Sequence, residues 1–256
     1  DPLLDEKMSE EAMRGAAMAT SVGGLGPLTK ERLIAQGELG ANVIGVGLLY
    51  DRVWMQRPQS DGTLGKELVR VTPHLREILE YDRTLNIELY DEGLTAAVKV
   101  WRAPEGTYGP GTMYFLDIPR VTDVIGGRAN VVYPGTSDVA DRKLEARYDQ
   151  SWILGRGTLA LLKDLNKKRV LVVMSEVASM FVHHRLFRDR FSEDPLLRDI
   201  LYFDNDHTKL PYAQFLFGRD WLKRLRVDPL YYENLPEVWA NDSEVDATAM
   251  IINIAD

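Results

Sequence analysis

Apolar and polar positions along this 256-residue chain alternate between short apolar runs and segments with helical spacing. Residues 41–50, ANVIGVGLLY, are nearly continuous apolar, the pattern of a strand buried on both faces. Just before them, Leu28, Ile34 and Ala35 fall at partly helical spacing between Pro27 and Leu39, and Gly40 ends the run, which predicts a helix. Residues 85–91, 96–103 and 113–118 read as consecutive strands punctuated by Asp, Gly and Pro turns, either as antiparallel ribbons or as the edge of a larger sheet. Residues 142–165 predict one or two helices interrupted near Gly155 and Gly157. RVLVVM at 169–174 predicts a buried strand and 175–191 a helix, with further strands at 199–204 (DILYFD) and in the closing AMIINIAD. Strands alternating with helices imply an α/β fold with a largely parallel sheet, helices on its faces and a β-rich insertion. No repeat or low-complexity linker interrupts the pattern, so a single domain over 1–256 is expected.

Composition narrows the function classes. A 45% hydrophobic content supports a substantial core, and a formal net charge of -8 argues against general affinity for nucleic acid or an anionic membrane surface. The absence of cysteine removes thiolate nucleophiles, disulfides and zinc–thiolate sites. The opening DPLLDEKMSEEAMRG is acidic and lacks the basic and apolar regions of a secretory signal, and no run of about 18 apolar residues suggests a membrane span. A cytoplasmic protein is expected.

Candidate chemistry lies in three loops. Gly23-Gly24-Leu25-Gly26 precedes a helix, and glycines feeding a helix N-terminus let backbone N–H groups approach a phosphate. The other two loops follow predicted strands: Ser175-Glu176-Val177-Ala178 after Met174, and Asn205-Asp206-His207-Thr208 after Asp204. Open α/β sheets bind ligands beyond the carboxyl ends of their strands, where such loops gather. Carboxylates and a histidine there suit the hydroxyls of a sugar. Glu176 and Asp204 suit a helix-capping role equally well, and His207 a structural hydrogen bond. Asp204, Asp206 and His207 have a spacing that permits a divalent metal without being diagnostic of one, and no metal is expected.

These segments resemble, in order, the motifs of the glycogen (α-glucan) phosphorylase family. SVGGLGPLTKERLIAQGELG and VIGVGLLY are similar to its glycine loop and following strand. Arg147-Tyr148-Asp149-Gln150 through Leu154-Gly155-Arg156-Gly157-Thr158 resembles its R-x-x-Q-E-x-x-LG-x-GG segment. Val173 to Phe181 is similar to its H-x-NEGH-AAF segment, and Asn205 to Pro211 to its T-N-H-T-x-x-P segment.

The resemblance implies one Rossmann-like lobe of a GT-B-type, two-lobed glycosyltransferase, with phosphorolysis or transfer of α-glucosyl units as its chemistry. It implies that Gly23, Gly24 and Leu25 present backbone N–H groups to phosphate and sugar. It also implies that His207 contacts the glucosyl unit, that Glu176 supplies the acidic group, and that Asp206 lies beside the substrate. The implied partners are an α-glucan or sugar phosphate, a second lobe or chain, and an oligomeric assembly. Pyridoxal phosphate is the implied cofactor, but the lysine that would carry it belongs to the second lobe and has no counterpart in this sequence. The pattern also departs from the family. Ala178 stands where the motif has histidine, Val177 where it has glycine, Ser175 where it has asparagine, and Asp206 replaces the asparagine before His207. A non-catalytic subunit that binds glucan or sugar phosphate is the alternative reading.

Overall fold

In a computed structural model, the described residues are 25–70, 72–89, 94–117, 140–167, 171–174, 201–204, 216–218 and 244–246. They form helices α1 (Leu25–Glu38), α2 (Thr72–Ile78) and α3 (Ala140–Asp164). The longer strands are β1 (Ile44–Leu49), β2 (Arg52–Pro58), β3 (Leu64–Arg70), β4 (Glu80–Leu89), β5 (Leu94–Arg102) and β6 (Thr112–Asp117). Four short strands follow: β7 (Leu171–Met174), β8 (Leu201–Asp204), β9 (Leu216–Gly218) and β10 (Glu244–Asp246). The chain divides into two compact units, Asp1–Asn86 with Ala96–Gln150, and Ile87–Thr95 with Ser151–Asp256.

The first unit is built on the sheet ordered β1-β6-β5-β4. β6 carries four consecutive buried residues, Met113 to Leu116, because it has a strand on each side and its two faces are both covered. The expectation of a largely parallel sheet is corrected. β1 and β6 pair parallel, with Ile44 opposite Thr112 and Leu49 opposite Asp117, while β5 and β6 pair antiparallel, so the sheet is mixed. Apolar runs report burial and carry no strand direction. Between β5 and β6 the chain reverses in tight turns, with Gly106 and Gly109 both at positive φ (81° and 62°). No helical crossover, which a parallel neighbour would need, separates them.

Residues on one face of this sheet pack with α1 and α2. Leu33 of α1, Leu75 of α2 and Leu79 just beyond it meet Leu49, Ala103, Tyr108, Met113 and Phe115 in one core. Each such leucine contributes about 1.5–3 kcal/mol by leaving water. β2 and β3 pair only with each other, as a hairpin. At its turn Gly62 has φ 81°, and the Asp61 carboxylate accepts hydrogen bonds from the Thr63 N–H (2.9 Å) and hydroxyl (2.7 Å). Those bonds hold the exposed Asp61 carboxyl below the usual aspartate range.

The helix ends follow simple stereochemistry. α1 stops at Gly40, φ 82°, with the Ala41 N–H bonded to Gln36 O and the Gly40 N–H to Gly37 O, a Schellman motif. α3 stops in the same way at Asn166, φ 50°, using Lys167 to Leu162 O and Asn166 to Lys163 O. α3 runs unbroken through Gly155 and Gly157, both buried, so the expected interruption there is not found. In the second unit, Trp152, Ile153, Leu159, Leu161 and Leu162 of α3 are buried. The Trp152 indole donates to Glu88 O (3.3 Å), and the Arg156 guanidinium lies 5.0 Å from the Trp152 ring centroid. β7 and β8 form the parallel pair expected of RVLVVM and DILYFD, and β9 and β10 form a short antiparallel one.

Candidate functional site

The placement of α1 follows from its glycine contacts. A Cβ on Gly37 would lie 3.1 Å from the Gly111 nitrogen and 3.1 Å from Pro110 Cβ, so this turn of the helix sits beside the entry to β6. One turn earlier, Leu33 lies over Gly45, where a Cβ would be 2.8 Å from Leu33 Cδ1. Gly45 is level with Met113, further along the sheet, so α1 runs antiparallel to β1 and β6. From Leu33 back to Leu25 the helix rises about 12 Å. From Gly45 forward to Leu49 the strand rises about 13 Å. The amino end of α1 therefore points toward the carboxyl ends of β1 and β6. Its positive dipole end is directed to the edge where α/β sheets take ligands.

That edge carries polar groups on short tethers. Leu49 and Asp117 end the two strands in register, and Tyr50 and Asp51 follow Leu49. The Asp117 carboxylate, 13% exposed, accepts a hydrogen bond from Arg76 Nη2 at 2.7 Å and one from Trp101 Nε1 at 3.2 Å. The Arg76 guanidinium also stands 5.7 Å from the Trp101 ring centroid. Asp51 accepts from Arg70 Nε at 3.0 Å, which ties the base of the β2–β3 hairpin to the end of β1. None of Asp117, Arg76, Trp101, Asp51 and Arg70 was singled out by sequence reasoning. The signal was an acidic residue directly after an apolar run, in LLYD and YFLD.

In the second unit, the parallel register sets Met174 opposite Asp204, so the two chains leave their strands side by side, about 5 Å apart. Glu176 follows the first exit by two residues, and Asp206 and His207 follow the second by two and three. Glu176, Asp206 and His207 themselves lie outside the described residues, as do Gly23 and Gly24. Leu25 is the first residue of α1, as a glycine turn feeding a helix requires.

Among the described residues no group of three or more His, Cys, Asp or Glu side chains could hold a metal ion. Gln150 is a buried polar side chain, while Lys30, Lys99, Lys163 and Lys167 are all at least partly exposed, so none of these four is a buried lysine of the kind that carries an aldehyde cofactor. No helix among them is long and apolar enough to cross a membrane.

The mixed four-stranded sheet with helices packed on it is an α/β fold. Among solved structures, the catalytic domain of starch synthase IV from Arabidopsis thaliana, bound to ADP and acarbose, is similar to it with a TM-score of 0.60. The likeness covers 91% of this chain and 40% of that one, at 16% sequence identity, and is a likeness of fold. The chain thus spans less than half the length of that domain. No protein-family model matches the chain, and no curated protein sequence does.

Proposed function

We propose that this chain is a sugar-phosphate- and α-glucan-binding lobe of a glycosyltransferase. The observation that carries the reading is the amino end of α1 directed toward the carboxyl edge of β1 and β6, in a fold similar to that of a starch synthase domain. That protein's complex with ADP and acarbose combines a diphosphate with an oligosaccharide. The same two ligand classes suit the groups here. Backbone N–H groups at Leu25, preceded by Gly23 and Gly24, take the phosphate. Glu176, Asp206 and His207 take sugar hydroxyls beyond β7 and β8.

In its finer form the reading is of phosphorylase type. Phosphate oxygen bonds to C1 of a terminal α-glucosyl unit as the bond from C1 to the glycosidic oxygen breaks. A proton passes to the departing oxygen, and glucose 1-phosphate leaves. This chain's share in that step is orientation: the His207 side chain holds the glucosyl unit.

A second reading, a binding lobe without catalysis, is favoured by Ala178 in the place of the motif's histidine. One set of assays separates the two. Calorimetric titration of the chain with glucose 1-phosphate and with maltoheptaose should give saturable binding of both. Release of glucose 1-phosphate from maltoheptaose and inorganic phosphate should appear once a co-purifying second chain is present. Binding without turnover in that complex selects the second reading, and no binding of either ligand refutes both.

A further inference from the structure

We propose that Lys99 and Arg76, gathered about Asp117, are the cations that hold a phosphate group at the strand-end edge. That the phosphate belongs to a sugar rests on the function proposed above. Asp117 follows Met113 and Phe115 at two-residue spacing, so its side chain shares the sheet face on which α1 and α2 pack. The antiparallel register sets Lys99 of β5 directly opposite Asp117, with Cβ atoms about 5 Å apart on that same face. Arg76 reaches the same carboxylate from α2, through Nη2 at 2.7 Å, and Trp101 Nε1 donates to it at 3.2 Å. One carboxylate thus stands between two cations.

Neither cation is saturated by it. Arg76 and Trp101 both donate to one oxygen, Asp117 Oδ2, while the exposed Lys99 makes no hydrogen bond or ion pair among the described residues. Arg76 is 44% exposed and meets Asp117 through Nη2, so its other N–H groups remain for a second anion. Asp117 and the Trp101 ring, whose centroid is 5.7 Å away, already position its guanidinium, which lowers the ordering cost of binding. The next carboxylate along the edge, Asp51, also has two guanidinium groups beside it, Arg70 Nε at 3.0 Å and Arg52 Nε at 3.9 Å. Cations outnumber these two carboxylates although the whole chain carries a net charge of -8. The attraction is therefore local. A small anion gains from it, while an extended polyanion is repelled by the rest of the chain. A phosphate fits, because its oxygens accept from a planar guanidinium and a mobile ammonium at once.

The test is calorimetric titration of the whole chain, as wild type, Lys99→Gln, Lys99→Arg and Arg76→Gln, with glucose 1-phosphate and separately with maltoheptaose. The cation pair predicts a Kd for glucose 1-phosphate about three- to tenfold larger in Lys99→Gln and Arg76→Gln, and near wild type in Lys99→Arg. The Kd for maltoheptaose should be the same in all four, which also shows that the variants are folded. In wild type, raising salt from about 0.05 to about 0.5 M should weaken binding of glucose 1-phosphate and leave that of maltoheptaose unmoved, a readout that needs no variant. An equal Kd for glucose 1-phosphate in Lys99→Gln and wild type overturns the pair and leaves the sugar-phosphate reading standing. If wild type does not bind glucose 1-phosphate, both fall.

Discussion

Two glycines two residues apart on β1 supply a test of how α1 is seated. A Cβ on Gly45 would meet Met113 Sδ at 2.5 Å and Leu33 Cδ1 at 2.8 Å, distances at which atoms must move. Leu33 is 4% exposed and inside the core, so the leucine has nowhere to retreat except by lifting α1. Overpacking of this kind costs about 1–3 kcal/mol. Replacing glycine by alanine in a strand returns about 0.4–1 kcal/mol through the unfolded chain. The net expectation for Gly45→Ala is a loss of about 1–2 kcal/mol, which lowers a urea midpoint by about 0.5–1 M at a typical slope. At Gly47 the nearest atom is Met113 Cε at 3.0 Å, the free end of a flexible side chain that can swing aside. Gly47→Ala should therefore stay within about 0.5 kcal/mol of wild type. The assay is urea unfolding followed by circular dichroism on the three proteins. Equal midpoints for the two variants would refute the seating of α1 on Gly45, and with it the route by which the helix reaches the strand-end edge.

Removing the partner of Asp117 by Arg76→Ala leaves a mostly buried carboxylate with the Trp101 indole as its remaining described donor, and should cost about 1 kcal/mol. Differential scanning fluorimetry should show a fall of about 2–4 °C. Burial pushes the Tyr108 hydroxyl above the ordinary tyrosine value of 10.0. The folded protein then keeps a proton that the unfolded chain has released, so stability present below about pH 10 falls as pH rises past it. Tyr108→Phe should lose less stability than wild type between pH 8 and pH 10.5, and parallel losses would show that Tyr108 is not the group responsible.

Much of the fold was legible because burial leaves a pattern. α1, β1 and the strands at 94–102 and 112–117 lie where apolar spacing put them, within three residues at the ends, while the strand expected at 85–91 begins five residues earlier, at Glu80. The β2–β3 hairpin was missed. Its strands, RVWMQRP and LGKELVR, carry many polar residues and show no clean apolar–polar alternation, although Asp61-Gly62 marked the turn. Gly155 and Gly157 suggested a break in a helix that does not break. Glycine costs about 1 kcal/mol in a helix interior, less than the burial of Ile153, Leu159 and Leu161 around them provides. Strand direction was illegible because an apolar run reads the same both ways, and it is the turn geometry before β6 that sets β5 antiparallel. The sequence pointed to loops and the structure adds their anchors: α1 directed toward the ends of β1 and β6 at Leu49 and Asp117, and, in the second unit, the ends of β7 and β8 side by side. The ion pairs of Arg76, Asp117, Arg70 and Asp51 join residues 19 and 41 positions apart, a separation that local pattern does not encode.

The central claim is that phosphate binds where α1 begins, at the carboxyl ends of β1 and β6. Amide chemical shifts of the labelled chain, followed through a titration with glucose 1-phosphate, test it directly. The account predicts saturable shifts at Leu25, Tyr50 and Asp117, with Ile44 and Thr112 at the opposite ends of the same strands unmoved. Shifts concentrated at Ile44 and Thr112, or no saturable shift at any of the five, would contradict it.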